Sequence, residues 1–158
     1  MAMTQAKLAD ELKALDPTDS EPSAISNLAT AYANFALDAV GNGIPVVPAG
    51  VELGKTAMAS ALTGMSTNGL TAIPTAVIAF WGALCAGFAT SFPGSAGATP
   101  PPHASLTASF APLMAANASG GLSKDAAMDA LATLLYGEAI IGGIVLLPGT
   151  PPVPGPIL

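Results

Sequence analysis

The sharpest chemistry on offer lies in eight residues. Ala49-Gly50-Val51-Glu52-Leu53-Gly54-Lys55-Thr56 satisfies the relaxed phosphate-loop pattern, with Ala in place of the first Gly. In such a loop Lys55 would neutralise phosphate and Thr56 would hold magnesium. The surroundings argue otherwise. The strand that must lead into the loop is the short IPVVP, and no later hydrophobic strand ends in an Asp for the metal. There is no Arg to stabilise transferred charge, and no strand-helix alternation to build the parent fold. Lys55 therefore reads as a solvated first-turn helix residue.

The other reactive side chains are isolated. His103, the only histidine, follows Pro100-Pro101-Pro102 at a helix entry. A triad or zinc site would need partners this segment lacks, so His103 reads as a helix-entry or interface residue. Asp125 and Asp129 are neighbours at i, i+4, but without His or Arg beside them they describe a wet helix face. Cys85 is alone, which excludes an internal disulfide, and its apolar neighbours suit a buried small hydrophobe. Phe80, Trp81, Phe88 and Phe92 offer rings for a ligand cage; the simpler reading is anchoring contacts in a core or a subunit interface. No catalytic residue, cofactor or metal is expected, and the chain does not read as an enzyme.

The elements that position these residues are helical by pattern. Leu8, Leu12 and Leu15 make one face of a helix over 4–15, ended by Asp16-Pro17. Ser20 caps a second helix running to about Val40, with a stripe of Ile25, Leu28, Tyr32, Phe35 and Ala39. Gly41-Asn42-Gly43 closes it, and Ile44–Pro48 reads as an extended connector. A third helix runs from Val51 to about Met65, then Ser66–Gly69 breaks the chain. The most apolar helix follows over Ile73–Phe92, with Pro74 in its first turn and a length of about 30 Å. Ala104–Ala118 is a fifth helix, with a kink expected at Pro112. Ser123 caps a sixth, running to about Tyr136. AIIGGIVLL is compatible with strand or helix, and the extended form is favoured. The expected fold is all-α: five or six short Ala-rich helices with Pro/Gly-rich connectors in a single domain, 1–147, and an extended proline-rich arm, 148–158.

Composition narrows the partners. Only 9% of the 158 residues are charged, against roughly 25% in an ordinary soluble domain. The four cations are all lysines and the net charge is -6, which argues against direct nucleic-acid binding. From Thr56 to Ser123 there is no Asp, Glu, Lys or Arg. A monomer's surface would hardly sustain that run, so a bilayer or other subunits should cover it. Much of the apolar content is Ala, which implies a thin core and a marginal monomer. The N-terminal MAMTQAKLADELKAL has acidic residues where a secretory signal needs an apolar stretch, so synthesis in the cytoplasm is expected.

Membrane insertion, as in a holin-like or channel-forming protein, would use residues 73–92. Ala, Gly, Ser and Thr dilute the insertion energy of that segment, and orienting basic residues are missing: Lys55 lies 18 residues before Ile73 and nothing basic follows until Lys124. Gly82, Ala83, Ala86 and Gly87 would let helices approach closely in either setting. Assembly is the favoured reading. AFWGALCAGFATSFPGSAGATPPP, residues 79–102, and the closing PGPIL resemble small structural proteins of tailed bacteriophages and phage-derived contractile particles. The resemblance implies a subunit of a virion or assembled particle, made in the host cytoplasm and packed against copies of itself or other structural subunits. The residues expected at its interfaces are Phe80, Trp81, Phe88, Phe92, Val153, Ile157 and Leu158.

Overall fold

In the computed structural model, which describes residues 2–158, seven helices make up 60% of the chain. They are α1 (Gln5–Lys13), α2 (Glu21–Ala36), α3 (Pro48–Ala61), α4 (Met65–Ala86), α5 (Phe88–Ser91), α6 (Leu106–Ala118) and α7 (Lys124–Ala139). The expected caps fall where the sequence places them. The Ser123 hydroxyl accepts from the Ala126 amide at 3.2 Å, so α7 starts with a satisfied donor. Ser20 caps α2 by position, with Pro22 in the first turn, but its hydroxyl bonds that of Ser23.

The Ile73–Phe92 helix is corrected at both ends. Gly64, at a φ of 81° that a side chain would resist, turns the chain into α4, so the expected Ser66–Gly69 break is absorbed into the helix. A kink at Asn68 (φ −129°, ψ 32°) is what remains of it, and Pro74 lies in the helix interior. α4 stops at Gly87, and Phe88–Ser91 forms the separate turn α5.

The fold is mainly helical but not all-α, because two small antiparallel sheets hold 10% of the chain. β1 (Val40–Gly41) and β2 (Ile44–Pro45) form a hairpin; β3 (Gly97–Thr99), β4 (Ile144–Leu147) and β5 (Val153–Pro156) form a sheet in that order. The hairpin loop is Asn42-Gly43, both at positive φ (51° and 81°), the two-residue turn whose twist matches paired strands. AIIGGIVLL splits as its pattern allows: Ala139 ends α7, and Ile144 begins β4.

The C-terminal arm pairs with its own chain. In β5 alternate residues point their backbone polar groups to opposite sides. The Ile157 amide bonds the Gly143 carbonyl at 2.9 Å on the β4 side, while Pro156 and Leu158 face β1. There Pro156 accepts from the Asn42 amide (2.9 Å), and Leu158 exchanges bonds with Val40 (2.8 and 3.0 Å). Pro154 and Pro156 both occupy the β1-facing register, so neither missing N–H removes a bond to β4. Residues 156–158 thus tie the two sheets together.

The core is thicker than the composition suggests. Tyr32, Phe35, Met58, Phe80, Trp81, Leu84, Phe92 and Phe110 are fully buried. The Trp81 Nε1–H donates to the Tyr32 hydroxyl at 2.8 Å, and Phe80 meets Tyr32 edge-on, with ring centroids 5.0 Å apart. The accessible surface of 7236 Å² matches the roughly 7200 Å² expected of a folded monomer of this mass.

Candidate interaction surfaces

The eight-residue phosphate-loop match is part of α3, and helix geometry consumes the donors a phosphate would need. The Gly50 and Val51 amides already bond the Val47 carbonyl at 3.0 and 3.3 Å, and the Thr56 hydroxyl donates to the Glu52 carbonyl at 2.8 Å. Lys55 Nζ lies 3.7 Å from Glu52. The two glycines have another use. A Cβ on Gly50 would fall on the backbone of Ser91, and one on Gly54 would sit 2.9 Å from the Phe80 ring. They are one helical turn apart on the face of α3 that meets α4 and α5. The close-approach signal therefore lies in Gly50-x-x-x-Gly54; at Gly82 a Cβ would meet nothing within 4 Å.

Of the residues expected at interfaces, Phe80, Trp81, Phe92 and Ile157 are spent on the chain's own core, each fully buried. The reason is local. Gly54 admits Phe80 against α3, Tyr32 offers Trp81 a hydroxyl, and Gly41 leaves room for Phe92 beside Val145. Phe88 is half-buried, while Val153 (54%) and Leu158 (50%) remain exposed.

The titratable groups divide similarly. Cys85 is buried, and burial pushes its thiol up to about 12, which leaves it unreactive at neutral pH. Asp129 pairs with Lys13 at 2.6 Å, which raises the lysine above its ordinary value, so the Asp125–Asp129 face is a wet contact with α1. His103 was a candidate for helix entry, and it stands there, buried, at φ 48° just before α6. Neither imidazole nitrogen has a partner, and desolvation lowers its pKa despite the opposing pull of Glu138. Glu138, itself buried on α7, accepts from the Ser105 hydroxyl. That hydroxyl is therefore directed to a carboxylate rather than to an imidazole, and no nucleophile–base pair forms. Among the described residues no group of three His, Cys, Asp or Glu side chains could hold a metal ion.

Charge is confined to α1, the α1–α2 loop, the first residue of α2, Asp38 just beyond its end, part of α3, and α7. The uncharged run supplies α4, α5, β3 and α6, and it exposes Leu70 (48%) and Ile78 (46%) on α4. α4 is long and apolar enough to cross a bilayer, with a mean hydropathy of 1.7 over its 18-residue window, 44% of which is buried inside the fold. Its Ala76, Val77, Phe80, Trp81, Leu84 and Cys85 face the core, so insertion would require unpacking the domain.

Two apolar hollows open beside Met128. One, of about 190 Å³, has a floor of Leu12, Leu28 and Met65 and a rim carrying Asp16 and Asp19; the other, of about 220 Å³, lies among Ile73, Phe110, Leu113 and Leu131. Sequence reasoning missed both, although the methionine and leucine spacing on α7 was visible. Comparison with protein-family models, curated proteins and solved structures finds no match to this chain.

Proposed function

We propose that this chain is a non-enzymatic structural subunit of a large assembly, a phage virion or phage-like particle, that packs through its uncharged half against copies of itself or other structural subunits. The observation that carries the reading is the surface of α4. It exposes Leu70 and Ile78 within a 68-residue stretch, Thr56 to Ser123, that has no charge to keep it apart from a neighbour. Val153, Leu158 and the half-buried Phe88 are the remaining interface candidates with surface to offer. The resemblance of residues 79–102 to phage structural proteins supports the choice of particle.

The test is to express the chain alone without detergent and to follow it by size exclusion, lipid flotation and electron microscopy. Soluble oligomers or particles are expected, and Leu70→Lys with Ile78→Lys should return a folded monomer. A wild-type chain that stays monomeric at high concentration rejects the reading. Carbonate-resistant flotation with lipid would instead establish membrane insertion through α4.

A further inference from the structure

Two hollows flank Met128, the one lining residue they share, and the pair is an apolar furrow interrupted by that side chain. Its ends differ in charge. Around the Leu12 end, Asp16 and Asp19 also line an adjoining polar hollow with Glu11, and among the described residues none of these three carboxylates has a cationic partner within 4 Å. Their bonds are to neutral groups: Asp16 accepts from Thr18, Asp19 from Asn27 and Glu11 from Asn34. Lys124 lines this same end and donates to the carbonyls of Lys13 and Leu15 at 2.9 and 2.6 Å, beside Asp16, which leaves three carboxylates against one ammonium. The far end of the furrow carries no charge.

A second copy of the chain is poorly suited to fill this furrow. The sequence has no Arg and four lysines, and each lysine is engaged on its own chain: Lys7 with Asp38, Lys13 with Asp129, Lys55 with Glu52, and Lys124 with the two carbonyls. The complement to an apolar floor with an acidic end has to come from elsewhere. We propose that the furrow docks an amphipathic helix of a different protein, whose large apolar side chains fill the two hollows and whose Lys or Arg residues lie over Glu11, Asp16 and Asp19. Met65, Met114 and Met128 line it, and unbranched thioethers can repack around an incoming side chain. The hollow among Ile73, Phe110, Leu113 and Met114 belongs to the uncharged half, whereas Asp16 and Asp19 lie outside it, so substitutions at the acidic end separate this interaction from self-packing.

The probe is a synthetic Leu/Lys amphipathic helix, with a Leu/Glu helix of the same apolar pattern as its control. Binding to the full chain carrying methyl-labelled methionine should shift the Met65, Met114 and Met128 resonances and leave the fully buried Met58 in place. Asp16→Asn with Asp19→Asn should weaken binding about tenfold. Met128→Glu should weaken it at least as much, although its added carboxylate would strengthen any purely electrostatic association. Met114→Glu provides the same test should Met128→Glu fail to fold. The proposal is overturned by equal binding of the Leu/Glu helix, by shifts that avoid these three methionines, or by binding that survives the groove substitutions. It is also overturned if Met128→Glu dissolves self-association, which would make a second copy the occupant.

Discussion

The α3–α4 contact and the α1–α7 contact join helices in opposite ways. Where α3 meets α4 and the short α5 that follows it, the fit comes from missing side chains: Gly50 accepts the backbone of Ser91 in α5 and Gly54 accepts Phe80 in α4. Between α1 and α7 the contact is made at its exposed margin by polar ends, Lys13 on Asp129 and Gln5 on Thr133. A shape fit in a dry interior tolerates no added atom, whereas an exposed ion pair exchanges water for a partner at little net gain. The first contact should hold the fold, and the second should orient it.

Four tests bear on that contrast, beginning with the largest effect. Gly50→Ala removes a helix glycine, which alone would stabilise by up to about 1 kcal/mol, but its methyl lands on backbone that cannot turn aside. A net loss of about 2–3 kcal/mol is expected by urea unfolding. Gly82→Ala, with open space around it, should instead gain about 0.5–1 kcal/mol. Equal effects at the two glycines would mean that the close approach is not real.

Trp81→Phe keeps the ring volume partly filled but strands the buried Tyr32 hydroxyl, at a cost of roughly 1–3 kcal/mol. The double variant with Tyr32→Phe should recover part of that loss. Additive losses would show that the hydrogen bond contributes nothing.

A smaller effect is expected at the border between the halves, where uncharged His103 approaches Glu138 of α7. Burial lowers the His103 pKa in the folded chain. As pH falls below the ordinary histidine value of about 6.5, the unfolded chain takes up the proton first. Stability present above that pH is then lost progressively toward the folded-state pKa. Thermal midpoints should drop between pH 7.5 and 5.5 in the wild type and drop less in His103→Asn. Because the sequence has one histidine, its imidazole resonance reports the same titration directly.

The smallest effect belongs to the ion pair itself. Asp129→Asn should leave the unfolding midpoint unchanged within error at moderate salt, since both partners are partly solvated. A clear loss would overturn the contrast from its other side.

Much of the helical frame was legible because capping and periodicity are local signals. Ser123 and the leucines of α7 announced that helix, and the stripe on α2 announced its buried face. What failed to show depends on partners distant in sequence. Asn42-Gly43 carried a strong hairpin signal, yet its flanking strands are two residues each and prolines surround them. The alternating prolines of β5 look hostile to a sheet until Asn42 and Val40 are known to be on the other side. Phe80 and Trp81 read equally well as interface or core, because what decides between them is distant in sequence: Gly54 for Phe80 and the Tyr32 hydroxyl for Trp81. The furrow beside Met128 escaped for the same reason: its walls come from α1, α2, α4, α6 and α7.

The Asn42-Gly43 turn also bears on chemical ageing. An Asn followed by Gly is prone to deamidate, because the small neighbour lets its amide nitrogen attack the Asn side chain and form a cyclic imide. Asn42 donates its side-chain amide to the carbonyls of Val145 and Val153, at 3.2 and 3.1 Å, which restrains it while the sheets stay joined. The other such pair, Asn68-Gly69, is exposed at the kink of α4. Old preparations should therefore gain carboxylate first at residue 68, placing a negative charge in a stretch that was synthesised with none. The appearance of the same product at residue 42 would time how often the strands part.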